Sequence, residues 1–450
     1  MSAAWQAAWR RARARAQRAG RPVVLAWRRE LAEPPGLLDL FDAAEARGET
    51  RFFAASPEDG CTLLAIGSRC ELVASSGAPL PELRERAHAL LRGADPNAVL
   101  VGGAAFAPRS EATREPRWRE FPNARFTLPE RLYVQRDGRS WLTHMAVVRP
   151  RDAQPPEMHE GSLARSASAE VIAPSELARA DETRGEVSER AYGEAAAEAI
   201  ARIRHGDAQK VVLARCEDLA PQAQPRGAAV LRSLRTRQPG AFVFAQGFGS
   251  DVFLGATPER LLRKRGREVC ASAVAGTTAP GAKHANDLWR SPKEREEHAF
   301  VVRALEASLG ELCSTLDVPP TPSLLETGNV QHLHTPIRGR LRRPTHVLDL
   351  VSRLHPTPAV AGTPRNAALD LIRKHEPFDR GWYAGPLGWL DAAGDGDFIV
   401  ALRCGVIGAG TARLFAGAGL VASSDPIRET AETTLKLNAL REALESACTG

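Results

Sequence analysis

The sequence predicts an α+β fold on two observations. Its strand-like runs come in clusters joined by short turns, which means antiparallel pairing. Its helix-like runs stand in separate blocks rather than alternating with strands, which argues against a doubly wound parallel sheet. Composition bounds the class: 43% hydrophobic and 25% charged over 450 residues is ordinary for a globular chain and excludes a disordered, collagen-like or coiled-coil one. With only 8 Trp, 3 Tyr and 14 Phe, much of the core must be Leu, Val and Ala.

The elements follow in chain order. The Arg-dense start at 10–21 reads as an amphipathic helix with a solvated basic face rather than a nucleic-acid tail; a formal charge of +6 adds little to the latter. It has no apolar core of a secretory signal. No apolar run of about 18 residues follows, so no membrane helix is expected. The 7 cysteines include no CxxC pair, so reduced thiols and a cytoplasmic setting are expected, without disulfides or zinc. Strand-like runs fall at 99–106 and 131–134. The polar, Pro/Ser/Ala-rich stretch 150–184 reads as a long connection. A helix is expected over 188–205, with Tyr192, Ala196, Ala199, Ile200 and Ile203 on one face and Gly206 as its stop. Strands are expected at 210–215, then at 241–246 and 251–254 around the turn GFGS. Near the end come 382–390, 398–407 and 412–415.

Several constellations point to chemistry, each beside a plainer reading. Glu294 and Glu297 in SPKEREEH are three apart, and Glu429 and Glu432 in SDPIRETAETTLK repeat the spacing. On helices each pair shares a face. Two such faces opposed would make an oxygen-rich site suited to Mg²⁺; alone, each is an ordinary solvated helix face. Lys210 opens an apolar strand, where it either snorkels to water or, in a closed cleft, becomes a base. Glu259 follows Thr-Pro and is either a helix-terminal charge or an acid. Arg403 sits mid-strand and needs an anion if it points inward. The runs FAGAG (415–419) and AGTT (275–278) read as Gly-rich turns, either plain or anion-binding. His332 and His355 are structural by default.

The ordered set KVVLAR, GATPERLL, AGTTAPG, KEREEH, VQHLHTPIRG, LHPTPAVAGTP, FDRGWYAGPLGW, FIVALRCGVI and AGAGLVASSDPIRETAETTLK resembles the chorismate-utilising enzymes. The likeness covers roughly residues 188–440. Within the family, Lys210 together with HPTPAVAG and RGWYAGPLGWLD is most similar to the isochorismate synthases, particularly those of menaquinone biosynthesis.

The resemblance implies one large α+β domain of two stacked antiparallel sheets, helices outside and a deep cleft between. Residues 1–25 would be a basic extension, 26–185 a variable first part and 186–446 the chorismate-binding part. It implies that Glu297 and Glu432, with Glu294 and Glu429 nearby, hold Mg²⁺. It implies that Arg403, Tyr383, Gly417 and Lys436 hold a substrate carboxylate, and that Gly276, Thr277 and His332 line the ring side. Lys210 would be the general base and Glu259 the general acid. The expected reaction is reversible conversion of chorismate to isochorismate for menaquinone or siderophore synthesis. Salicylate synthase is the alternative, and an anthranilate-type synthase is less favoured because of Lys210. A cytoplasmic monomer acting on a small molecule is expected, with no nucleic-acid or membrane partner.

Overall fold

The computed structural model describes residues 3–157, 178–179, 182–220, 225–328, 330–408 and 410–449. The expected connection at 150–184 lies mostly outside them.

Two large antiparallel sheets carry the fold. The first runs, in spatial order, Val23–Leu31, Arg139–Val148, Arg131–Arg136, Thr62–Ile66, Arg51–Ala55, Phe242–Phe248, Asp251–Thr257, Cys404–Gly408, Thr411–Leu420, Lys210–Ala220 and Gly362–Thr363. The second runs Cys313–Asp317, Val330–Leu341, Glu268–Thr278, Arg260–Arg265, Gly396–Val400, Pro386–Asp391, Val99–Ala104, Ala124–Leu128 and Cys70–Ala74. Each sheet mixes strands from both halves of the chain. The divisions at 25 and 185 fall inside the strand Val23–Leu31 and the helix Glu182–His205.

The sheets share one core. Phe52, Phe244 and Phe253 of the first meet Leu100, Phe126 and Phe398 of the second in a single buried cluster. Trp118 and Phe121 fill its middle, with ring contacts to Phe253 on one side and from Phe121 to Trp382 on the other. A large buried aromatic contributes roughly 2–3 kcal/mol by leaving water.

The basic start is a packed helix. In Ala3–Ala19, Trp5, Ala8, Trp9, Ala12 and Ala16 form one buried stripe against Val23, Leu25, Ala146 and Val148. Arg10, Arg11 and Arg18 face solvent, as an amphipathic helix requires. No helix among the described residues is long and apolar enough to cross a membrane.

Three expectations need correction. The run 398–407 is two strands in different sheets, Gly396–Val400 and Cys404–Gly408. Arg403 is therefore not mid-strand: it stands at φ +46° where the chain crosses between sheets. The run 382–390 is strand only from Pro386, because residues 381–384 turn. FAGAG and AGTT are strand rather than turn, lying within Thr411–Leu420 and Glu268–Thr278. Small residues here serve inward packing, as the site shows.

Candidate active site

A cavity opens between the sheets near the start of the strand Lys210–Ala220. Glu259, Gly276, Thr277, Glu297, His332, Tyr383, Arg403, Gly417 and Lys436 line it, together with Val212, Ala359, Val360 and Gly419. Side chains alternate along a strand, so Lys210, Val212 and Ala214 share a face. Val212 pairs with Gly419 and Ala214 with Gly417, which places both glycines on that same inward face. They leave the room a Cβ would take. One at Gly419 would meet Glu297 Oε1 at 2.0 Å and Lys210 Cε at 3.0 Å; one at Gly417 would meet the Tyr383 hydroxyl at 2.9 Å. Neither glycine has positive φ, so the anion-nest reading does not hold for them.

Lys210 does not line the cavity. Its side chain is fully buried behind Gly419, 3.2 Å from Glu297 Oε1, and its Nζ makes no hydrogen bond. Burial drives Lys210 below the ordinary lysine value, and the Glu297 charge only partly restores it. An ion pair normally raises a lysine; here desolvation outweighs the pairing. Glu259 is also buried, in the short link from Asp251–Thr257 to Arg260–Arg265, so the helix-terminal reading fails. Burial pushes its carboxyl up to about 8, against the opposing charge of Lys210.

The carboxylate pairs sit where helices begin. Ser291 caps Pro292–Gly310 by accepting from Glu294 N. Asp425 caps Pro426–Thr449 by accepting from the amides of Ile427 and Arg428. Glu294 and Glu429 therefore stand in first turns, where the helix dipole favours negative charge, with Glu297 and Glu432 one turn further on. Burial pushes Glu294 and Glu429 each up to about 7. Burial would raise Glu297 too, but Lys210, Lys293 and Lys436 outweigh it and hold it well below the carboxylate range. Glu432 pairs with Lys436 at 2.6 Å, and Lys436 also donates to the Gly417 carbonyl at 2.9 Å.

This donor set fits a divalent cation: four carboxylates, two of which carry buried oxygens without a hydrogen-bond partner, Glu294 Oε2 and Glu429 Oε2. Among the described residues no three such side chains already converge as a metal cage. They are arranged instead around the ammonium of Lys293, which is 3.1 to 3.3 Å from Glu294, Glu297 and Glu429.

On the opposite wall His332 is neutral, because burial and then the Arg403 charge hold it well below the ordinary histidine value. The Gly276 carbonyl, 2.9 Å from Nδ1, can only accept, so Nδ1 carries the proton. Nε2 then accepts from Arg403, whose other nitrogen donates to Thr327 Oγ1 at 2.6 Å. Gly276 has φ +74° at a bulge facing Glu294, a conformation glycine adopts without strain. His355 is structural, with Nε2 3.0 Å from the Phe106 carbonyl.

Four residues of the site escaped the sequence reading. Lys293 stood unnoticed inside KEREEH, although a Lys four before Glu297 is a pairing signal. Thr327 had no signal. Glu376 and Arg380 clamp the cavity wall from behind. Glu376 accepts from Ala214 N at 2.8 Å, and Arg380 donates to the carbonyls of Val212 and Val360, each at 2.8 Å; only their i,i+4 spacing hinted at this.

Residues 10–445 match the model of a family described as chorismate binding enzyme. The chain is 38% identical to the salicylate biosynthesis isochorismate synthase of Pseudomonas aeruginosa, over 97% of this chain and 93% of that protein. It is 35% identical to isochorismate synthase MenF of Bacillus subtilis, over 77% of this chain and 74% of that protein. The fold is similar to that of the menaquinone-specific isochorismate synthase of Escherichia coli, with TM-score 0.73, 25% identity and coverage of 94% and 95%. It is also similar to anthranilate synthase component I of Streptococcus pneumoniae, with TM-score 0.63 at 21% identity over 92% of each chain, a likeness of fold alone.

Proposed function

The chain belongs to the chorismate binding enzymes, and from that premise we propose that it is an isochorismate synthase. The observation that carries the reading is a pair of buried, oppositely shifted groups on one side of the cavity: Glu259 in its wall, pushed up to about 8, and Lys210 behind Gly419, pushed down. A base must be neutral and an acid protonated near neutral pH, and burial biases both in that direction.

Chorismate carries two carboxylates, and the site offers two kinds of partner. Arg403, charged and held by Thr327 and neutral His332, would take the enolpyruvyl carboxylate with the Tyr383 hydroxyl and the Lys436 ammonium. Glu297 and Glu432, with Glu294 and Glu429, would hold Mg²⁺, which supplies positive charge for the ring carboxylate. Lys210 takes a proton from water as the oxygen bonds to ring C2. The ring double bonds shift, and Glu259 gives its proton to the departing C4 hydroxyl. One water enters and one leaves, so the reaction is an isomerisation and runs in both directions. Lys210 can accept that proton only when its pair with Glu297 opens.

The products from chorismate with Mg²⁺ test the reading. Isochorismate alone is expected; salicylate with pyruvate, or anthranilate on adding ammonium, overturns it. We further propose that the enzyme acts as a cytoplasmic monomer and that its product serves menaquinone or siderophore synthesis.

A further inference from the structure

Lys293 is the second residue of the helix Pro292–Gly310. A cation there opposes the helix dipole, which favours negative charge at that end. Local helix physics therefore does not explain the residue. Its surroundings do: the ammonium lies 3.3 Å from Glu294 Oε1, 3.2 Å from Glu297 Oε2 and 3.1 Å from Glu429 Oε1. Carboxylates from two helices thus converge on one amine. Burial alone would discharge Lys293, but these charges outweigh it and keep the ammonium charged.

The pairing is incomplete on the acid side. The ammonium donates to Glu297 Oε2 and is ion-paired with Glu294 Oε1 and Glu429 Oε1. Glu294 Oε2 and Glu429 Oε2 remain buried without a partner, and the Glu429 residue is only 3% exposed. The cluster has more acceptor capacity than one amine satisfies. A divalent cation with about six oxygen ligands would satisfy it, but it draws on the same three carboxylates that Lys293 now holds together.

We propose that Lys293 is a resident counter-cation: it holds Glu294, Glu297 and Glu429 together in the metal-free protein, and a divalent cation enters by displacing its ammonium. The inference rests on the carboxylate cluster being the metal site. Without the amine, Glu294 and Glu429 would lose their nearest cation, and only Glu297 would keep one, Lys210 at 3.2 Å. With it, metal uptake becomes an exchange, and each metal bound must outcompete an ion already in place.

Mn²⁺, which prefers the same oxygen ligands, is a probe that does not depend on turnover. Its binding is measured by electron paramagnetic resonance on full-length wild type, Lys293→Gln and Lys293→Arg, beside melting curves with and without the metal. Lys293→Gln should melt lower without metal and bind Mn²⁺ about tenfold more tightly, since a competing charge is gone. Lys293→Arg should stay near wild type. Should Lys293→Gln fold only with Mn²⁺ present, the exchange is supported. Equal or weaker Mn²⁺ binding by Lys293→Gln overturns it, as does failure to fold even with Mn²⁺. An Arg variant as tight as the Gln variant also overturns it, because charge would not be the cause. A wild type that takes up no Mn²⁺ overturns the metal reading itself, a result distinct from unchanged affinity in the variant.

Discussion

Lys210 Nζ lies 3.2 Å from Glu297 Oε1, so the residue expected as base and a residue expected to hold the cation form one ion pair. Both are buried, at 0% and 6% exposure. The pair joins the first sheet, through Lys210–Ala220, to the helix Pro292–Gly310. In the proposed function, catalysis and metal binding would therefore draw on the same Glu297.

Lys210→Ala should lower kcat by about 10²–10⁴, the usual worth of a positioned general base, with chorismate affinity changed little. Glu297 keeps Lys293 as partner at 3.2 Å, so the protein should stay folded. Turnover and substrate binding measured on the same preparation check this. A kcat near wild type removes Lys210 from the chemistry.

Glu259 links activity and stability to pH. Its folded carboxyl titrates near 8, far above the ordinary value of about 4.3. Between those values the unfolded chain releases a proton that the folded protein keeps. Stability is therefore fully present below pH about 4.3 and is lost as pH rises toward 8. Glu259→Gln removes that loss. Urea unfolding without metal should show the variant more stable than wild type by about 2–4 kcal/mol at pH 8, with the gain shrinking toward pH 5. Wild-type kcat/KM should fall above pH 8 as the acid ionises, and the variant should be inactive in both directions. A stability difference independent of pH would place the proton elsewhere.

Gly419→Ala should cost activity far more than stability. Its Cβ would meet Glu297 Oε1 at 2.0 Å and Lys210 Cε at 3.0 Å, so both side chains must move. Displacement of about 1 Å at a catalytic group costs roughly 10²-fold in rate. Steady-state kinetics beside a circular dichroism melt decide it; kcat/KM within a few-fold of wild type would mean the close approach is not used.

The antiparallel α+β class was legible because turns such as GFGS leave no room for a crossover. The helix with Tyr192, Ile200 and Ile203 on its buried face was legible from period alone, and Gly206 ends it at φ +99°. The break at Arg403 was not: FIVALRCGVI is apolar except for Arg403 itself, and nothing local says that the chain changes sheets there. FAGAG misled because glycine signals a turn when read locally, whereas Gly417 and Gly419 answer to Tyr383 and Glu297 across the cavity. The carboxylate spacing located both helix faces, but only three dimensions could set Lys293 between them. Thr327 is visible solely through its bond to Arg403, 76 residues away.

The proposed metal site makes opposite demands on two of its acids. Glu297 is ionised and faces Lys210 and Lys293 at 3.2 Å each. Glu297→Gln would strand the Lys210 ammonium, whose Nζ already has no hydrogen bond, and breaking a buried pair from one side costs about 3–5 kcal/mol. The metal-free variant should melt well below wild type. Glu429 is different: burial first, with Glu432 and Glu297 adding, raises it to about 7 against the pull of Lys293. Its raised value means stability falls as pH climbs from about 4.3 through 7, so at pH 8 the charge is a net burden. Glu429→Gln should hold or raise the metal-free melting temperature at that pH. Mg²⁺ should then stabilise wild type by mass action, about 2.7 kcal/mol at one hundred times Kd. Glu297→Gln, Glu429→Gln and Glu432→Gln should each gain much less and lose Mg²⁺-dependent activity. Melting curves at pH 8 with and without Mg²⁺ separate the outcomes. Equal Mg²⁺ shifts in all four proteins would put the cation elsewhere. A metal-free Glu297→Gln as stable as Glu429→Gln would mean that Lys210 does not depend on Glu297 for its charge.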